Sequence, residues 1–146
     1  MTDYRAKARA ELGLIEETLS LLDRTLQRPT MEQAEWMAVA GFVYNVFTGI
    51  ANVLKLLCRA KGAQVPADSP TSHRDLLDTA LAHDIIRNEL RDALDEYRAF
   101  RHFFAHSYGV MLDPDQLGPL ARRLPAVWIE LRSRVSASIS ESNCQG

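Results

Sequence analysis

From Trp36 to Leu54 no side chain carries a charge, and a run of that kind has two destinations, lipid or the centre of a fold. Gly41, Asn45, Thr48, Gly49 and Asn52 interrupt it, which makes it poor as a lone span in a bilayer. The spacing of Trp36, Ala40, Val43, Phe47, Ile50, Leu54 and Leu57 steps by threes and fours, the signature of a helix with an apolar face. The run is therefore expected to be a buried helix that other helices must cover, with no membrane involved. Thr30 with Gln33 three residues later predicts its start as a capping box, and Gly62 its stop.

The same spacing recurs along the rest of the chain. Leu12, Ile15, Leu19, Leu22 and Leu26 predict an amphipathic helix from about Asp3 to Gln27, ended by Pro29. Gly62 to Pro70, with Pro66 and Pro70, reads as a loop. Ser72 and Asp75 cap a short third helix bearing Leu76, Leu77, Ala80 and Leu81. Ile86, Leu90, Ala93, Tyr97, Phe100 and Phe104 predict a fourth, closed by Gly109. Asp113-Pro114-Asp115-Gln116 begins a fifth, with an N-cap and a proline at the first helical position. Pro119 and Pro125 should break that segment into a short piece and a longer one from about Leu124 to Ile139. Beyond Ser140 apolar anchors are lacking, and residues 141–146 are expected to fray. No strand candidate appears. The expectation is one all-α domain over residues 1–146, an up-and-down bundle of about five helices.

Length and composition exclude several classes. A chain of 146 residues buries enough surface to fold without staples. Cys58 and Cys144 share no metal-ligand spacing, so a core thiol and a tail thiol in a reducing cytoplasm are expected. The start MTDYRAKARAELG has no apolar core for export. A net charge of −2 rules out a long-range basic field, so any attraction for nucleic acid must be local.

The chemistry concentrates in Arg101-His102-Phe103-Phe104-Ala105-His106-Ser107-Tyr108. Here a permanent cation with a planar fork, an imidazole that titrates near neutrality and a phenol fall within two helical turns. Arg87, Arg91, Arg98, Arg101 and Tyr108 step by three, four and seven, so they share one stripe of helix four. His102 and His106 share the adjoining face. Arg101 and His106 stand about 140° apart on an ideal helix. Either the reach of the arginine or a second copy of the helix must close that gap. The plainer readings are a solvated arginine face, with Arg91 paired to Asp95, and a His102/His106 pair able to hold zinc. No carboxylate or cysteine pattern completes such a metal site, and neither metal nor cofactor is expected.

In a small helical domain this block resembles the R-x4-H-x-Y motif of HEPN ribonucleases, most closely the HepT-type toxins, whose antitoxins are small nucleotidyltransferases. The resemblance implies a homodimer with two copies each of Arg101 and His106 lining one cleft. It implies a toxin of a type VII-like toxin–antitoxin pair, a metal-independent endoribonuclease in which the ribose 2′-oxygen attacks the adjacent phosphate. His106 would move protons, Arg101 would stabilise the phosphorane, and His102 would orient or assist. Arg98, Arg91 and Arg87 would extend the RNA-binding face. Tyr108 would be the acceptor of adenylate from the partner nucleotidyltransferase, silencing the enzyme. The implied partners are RNA, with tRNA among the candidates, the cognate antitoxin and a second copy of the chain. The alternatives are a non-catalytic HEPN module that binds a nucleotide or a nucleotidyltransferase, and a plain helical interaction domain.

A second stripe lies on helix two. Gly41, Asn45, Thr48, Asn52, Lys55 and Arg59 form a polar, small-residue line along an otherwise apolar helix. Gly41 to Asn52 is expected to pack against another helix, in the same chain or across a dimer, with Lys55 and Arg59 nearer water.

Overall fold

The computed structural model describes residues 3–65, 71–107 and 112–144, the side chains of 107 and 141–144 excepted. The described chain forms five helices: α1 (Tyr4–Leu26), α2 (Gln33–Ala60), α3 (Ser72–Ala82), α4 (Asn88–Ser107) and α5 (Pro114–Cys144). The protein is all-α, as its spacing predicts. The uncharged run is the centre of the bundle: Val39, Ala40, Val43, Val46, Ile50, Val53 and Leu54 are fully shielded, and α1, α3, α4 and α5 each pack on α2. By length and composition alone α2 could cross a bilayer, yet its apolar face is spent on these four neighbours.

Tight approach of α1 to α2 depends on Gly49. A Cβ at this position would lie 2.7 Å from Cγ1 of Ile15, inside van der Waals contact with a buried side chain. Gly41 plays no such part, since a Cβ there would meet nothing within 4 Å. The close-packing site is therefore off the predicted polar stripe.

Helix ends follow local chemistry with small departures from expectation. α1 is capped at both predicted residues: the Asp3 carboxylate accepts from the Arg5 amide at 2.9 Å, and Gln27 is the C-cap. α2 starts later than Thr30, with Glu32 as an N-cap that makes no side-chain bond. Met31 and Trp36 occupy the N′ and N4 positions of a hydrophobic staple, and both pack against the core; burial sets this start where a capping hydroxyl was expected. α2 ends as predicted at Gly62, in the left-handed region at φ 79°. Ala63 donates to Cys58 O at 3.0 Å and Gly62 to Arg59 O at 3.0 Å, the paired bonds of a Schellman motif. α3 begins at Ser72 with Thr71 as the cap, one residue earlier than expected; the Thr71 hydroxyl donates to the Asp75 carboxylate at 3.0 Å.

The turn after α3 is a second Schellman ending, with Asp84 at φ 58° and Ile85 donating to Ala80 O at 2.9 Å. Burial of Ile85 and Ile86 holds the aspartate in a conformation it otherwise avoids. Arg134 of α5 donates to Asp84 O at 2.7 Å and Lys61 to His83 O at 3.1 Å. These cations satisfy carbonyls left over at a helix C-terminus.

α5 corrects the sequence reading. Pro119 and Pro125 do not divide it; both lie inside one continuous helix and are exposed. The buried row Leu117, Leu120, Ala121, Leu124, Trp128, Leu131, Val135 and Ile139 runs unbroken past both prolines. Burial along this row outweighs the hydrogen bonds that the prolines remove. Next to the carbonyl that Pro125 leaves without its donor, Leu120 O accepts the buried Tyr97 hydroxyl at 2.7 Å. The helix also runs past Ser140, to Cys144.

Candidate functional site

Of the four arginines expected on one stripe of the fourth helix, Arg91, Arg98 and Arg101 lie on α4, whereas Arg87 sits just before its first residue; the three on the helix differ in what they meet. Arg91 reaches α3, where Asp78 accepts from it at 2.9 Å, and it also meets Asp92 at 3.4 Å. Arg98 pairs with Asp95 at 2.6 Å, a bond that holds the Asp95 carboxyl below its ordinary range. Asp95 thus pairs with Arg98 and not with Arg91, as the plainer sequence reading had it. Arg87 is exposed.

Arg101 is held differently. It is half-buried, its guanidinium carbon lies 4.8 Å from the centroid of the Tyr44 ring, and its Nε donates to Thr48 Oγ1 at 3.3 Å. Thr48 in turn donates to Tyr44 O at 3.0 Å, so its hydroxyl is oriented to accept. Tyr44 also meets Phe104 at a centroid distance of 5.6 Å, and Phe104 stacks on Phe100 at 5.9 Å. Both groups that fix Arg101 are neutral, and among the described residues no carboxylate pairs with it. Its full charge stays available to an outside anion.

His102 and His106 are exposed, with ring centroids 4.6 Å apart. Nδ1 of His106 lies 2.7 Å from His102 O. A carbonyl can only accept, so Nδ1 carries the hydrogen and Nε2 of the neutral ring keeps a lone pair pointed away from the helix backbone. This suits a base that collects a proton and later returns it. No group of three metal-ligating side chains forms among the described residues, so the histidine pair lacks a third ligand there.

The structure brings Arg101 to Tyr44 and Thr48, and the two histidines to each other. No hydrogen bond or ring contact joins Arg101 to His106 within the chain, in keeping with the 140° that ideal geometry gives. Tyr108 and Gly109 lie outside the described residues. Of the polar stripe on α2, Thr48 faces α4 through Arg101, and Asn52 faces α1 through Glu11 Oε1 at 3.4 Å; both contacts are within the chain. Tyr44 went unnoticed in the sequence because it belongs to neither stripe. Its one signal is a phenol in the uncharged run, four residues before Thr48.

On the other side of α4, Glu96, Phe100, Phe103, Leu117, Leu120 and Arg123 line a cavity of about 420 Å³ against α5. The Glu96–Arg123 ion pair at 3.0 Å stands over it.

A family model described as HepT-like protein matches residues 38–141, more than half of the chain and all of the Arg101–Tyr108 block. Among solved structures the chain is similar to the cytosolic protein of unknown function YutE from Bacillus subtilis. That likeness has a TM-score of 0.75 at 16% identity and covers 94% of this chain and 92% of the other; at such identity it is a likeness of fold. No curated protein matches the chain.

Proposed function

Because this chain belongs to the HepT-like protein family, we propose that it is a metal-independent endoribonuclease, the toxin of a two-component system, acting in the cytoplasm as a homodimer. Support comes from one observation above the others. Arg101 is the arginine of its stripe that is fixed in place and, among the described residues, free of any carboxylate partner.

In the proposed reaction, Nε2 of one His106 takes the proton of a ribose 2′-OH as that oxygen attacks the neighbouring phosphorus. Arg101 hydrogen-bonds the oxygens of the phosphorane, whose extra negative charge it stabilises more than that of the ground state. The bond from phosphorus to the 5′-oxygen breaks, and a protonated His106, of the partner subunit or the same one, delivers the proton to the leaving oxygen. A 2′,3′-cyclic phosphate and a 5′-hydroxyl result. His102 supports its neighbour through the carbonyl that fixes the His106 tautomer. Tyr108 is the acceptor of adenylate from a cognate nucleotidyltransferase; an added phosphodiester near Arg101 would occupy the cation meant for RNA. RNA, with tRNA among the candidates, is the substrate.

The absence of an Arg101–His106 contact within one chain supports a second reading, a non-catalytic module that binds a nucleotide or the nucleotidyltransferase through Arg101. Purified protein incubated with total RNA in excess EDTA separates the two. Cleavage leaving cyclic or 3′-phosphate ends, abolished by Arg101→Ala and by His106→Ala with helicity unchanged, is the expected result. Intact RNA would leave the binding module, and loss in EDTA with recovery in zinc would point to a metal on the histidine pair.

A further inference from the structure

On the second stripe of α2 only Thr48 has a part in the proposed cleavage chemistry, yet its C-terminal half, beyond Thr48, forms one wall of a groove. Lys7, Glu11, Asn52, Lys55, Leu56 and Arg59 line this crease of about 340 Å³ between α1 and α2. Lys7, Lys55 and Arg59 pair with no carboxylate among the described residues. The acid in the groove, Glu11, is engaged by the Asn52 amide at 3.4 Å. In a chain with 19 acidic against 17 basic side chains and a net charge of −2, three cations facing one carboxylate form a local positive patch. Its members repel one another until an anion enters.

The register ties this patch to Arg101. Lys55 and Arg59 follow Thr48 by seven and eleven residues, so they lie within about 20° of the same line on α2, at roughly 10.5 and 16.5 Å along the axis. Thr48 is the residue to which Arg101 donates. A line of cations therefore runs down the face of α2 from Arg101, with Lys7 of α1 across the crease. The arginines expected to bind RNA further along α4, Arg91 and Arg98, are instead bonded to aspartates.

We propose that the α1/α2 groove seats the phosphodiester backbone of single-stranded RNA and leads the strand to Arg101. The choice of RNA rests on the ribonuclease reading. The shape supports a strand over a lipid surface, since the cations line a crease between two helices that a flat bilayer does not enter. Among the described residues no aromatic side chain lines the groove, so it holds phosphates without reading bases.

Binding is to be measured with the His106→Ala protein, which holds RNA without turning it over, by anisotropy of short labelled oligo-U and oligo-A strands over a range of salt. Adding Lys55→Gln and Arg59→Gln should weaken both strands about tenfold near 0.1 M salt and lower the salt slope by about 1.4, the loss of two phosphate contacts. Arg24→Gln, an exposed cation elsewhere on α1, should change neither. In cleaving protein the double variant should raise KM several-fold, with a smaller effect on kcat. Unchanged affinity and slope in the folded double variant overturn the groove, as does an effect on one strand alone. So does tighter binding of ATP or of phosphatidylserine vesicles at these residues than of RNA. If the wild type cleaves RNA and KM ignores the double substitution, the groove falls and the nuclease stands. If the groove binds RNA that is never cut, the groove stands and the nuclease falls.

Discussion

Burying part of a guanidinium against a neutral ring and hydroxyl costs solvation without cancelling charge, so the contacts of Arg101 with Tyr44 and Thr48 fix its direction and leave its field intact. A cation over an aromatic face is stabilised by about 0.5–2 kcal/mol. If that energy keeps the fork aimed at the phosphorane, Tyr44→Leu should lower kcat by about twofold to about thirtyfold. Tyr44→Phe keeps the ring and should keep most of the rate; cleavage by the leucine variant at the wild-type rate would discard this positioning role. Tyr97, on the same helix, has a structural task. Burial pushes its phenol up to about 12, and its hydroxyl serves the Leu120 carbonyl. Tyr97→Phe should cost about 0.5–1.5 kcal/mol, the net worth of one hydrogen bond, because Leu120 O lies inside α5 and keeps its helical donor. The folded state holds this proton more tightly than the unfolded chain, whose phenol ionises near pH 10. Stability from this group is complete below about pH 10 and is lost as pH rises through about 12. Denaturant titrations of both proteins from pH 8 to 11 check this: the wild type should fall more steeply than the phenylalanine variant above pH 10.

At the scale of helices, what the sequence made legible was burial. Each of the five helices follows an apolar row spaced by threes and fours, and the uncharged run from Trp36 to Leu54 became the centre because no other element could use its face. Signals carried by single residues were less secure. Thr30 and Ser72 looked like caps, yet the chain starts α2 where Met31 and Trp36 can pack and starts α3 one residue after Thr71. Pro119 and Pro125 looked like breaks, but the buried row continues beneath them, and a local penalty of about 3 kcal/mol at each is smaller than the burial of several large side chains. Gly49 was illegible for a related reason: a glycine that meets a side chain distant in sequence looks like any other helical glycine. Gly49→Ala tests that reading. The new methyl would press on Ile15, and overpacking of a buried contact should destabilise by about 1–3 kcal/mol. Gly41→Ala, which meets open space, should stabilise by about 0.5–1 kcal/mol through helix propensity. Thermal melts that place the two alanines on the same side of the wild type would contradict this account of the α1/α2 contact.

For the molecule as a whole, the question is where the second half of the site comes from. Arg101 is drawn toward α2 by Tyr44 and Thr48, whereas His106 is exposed, with its Nδ1 committed to its own helix. Arg101 is thus held toward α2 while His106 bonds to its own helix, and on the proposed reading the phosphate clamp and the base of one protomer need not converge. The sequence carried the angle between them but not the contact of the arginine with Tyr44 and Thr48 of α2. The proposed homodimer would set Arg101 of one subunit opposite the base of the other. Mixing Arg101→Ala with His106→Ala subunits then has a definite outcome. Neither homodimer cleaves, while each mixed dimer holds one intact arginine–histidine pair across the interface. After random exchange, activity should return to roughly a quarter of the wild type where each arginine–histidine pair of the shared cleft works alone, since half of the dimers are mixed and each keeps one intact pair of two. The two proteins should sediment as dimers before and after exchange. No recovery from subunits shown to exchange would place both groups of each working site on one chain, and a fully active monomer would remove the need for a partner altogether.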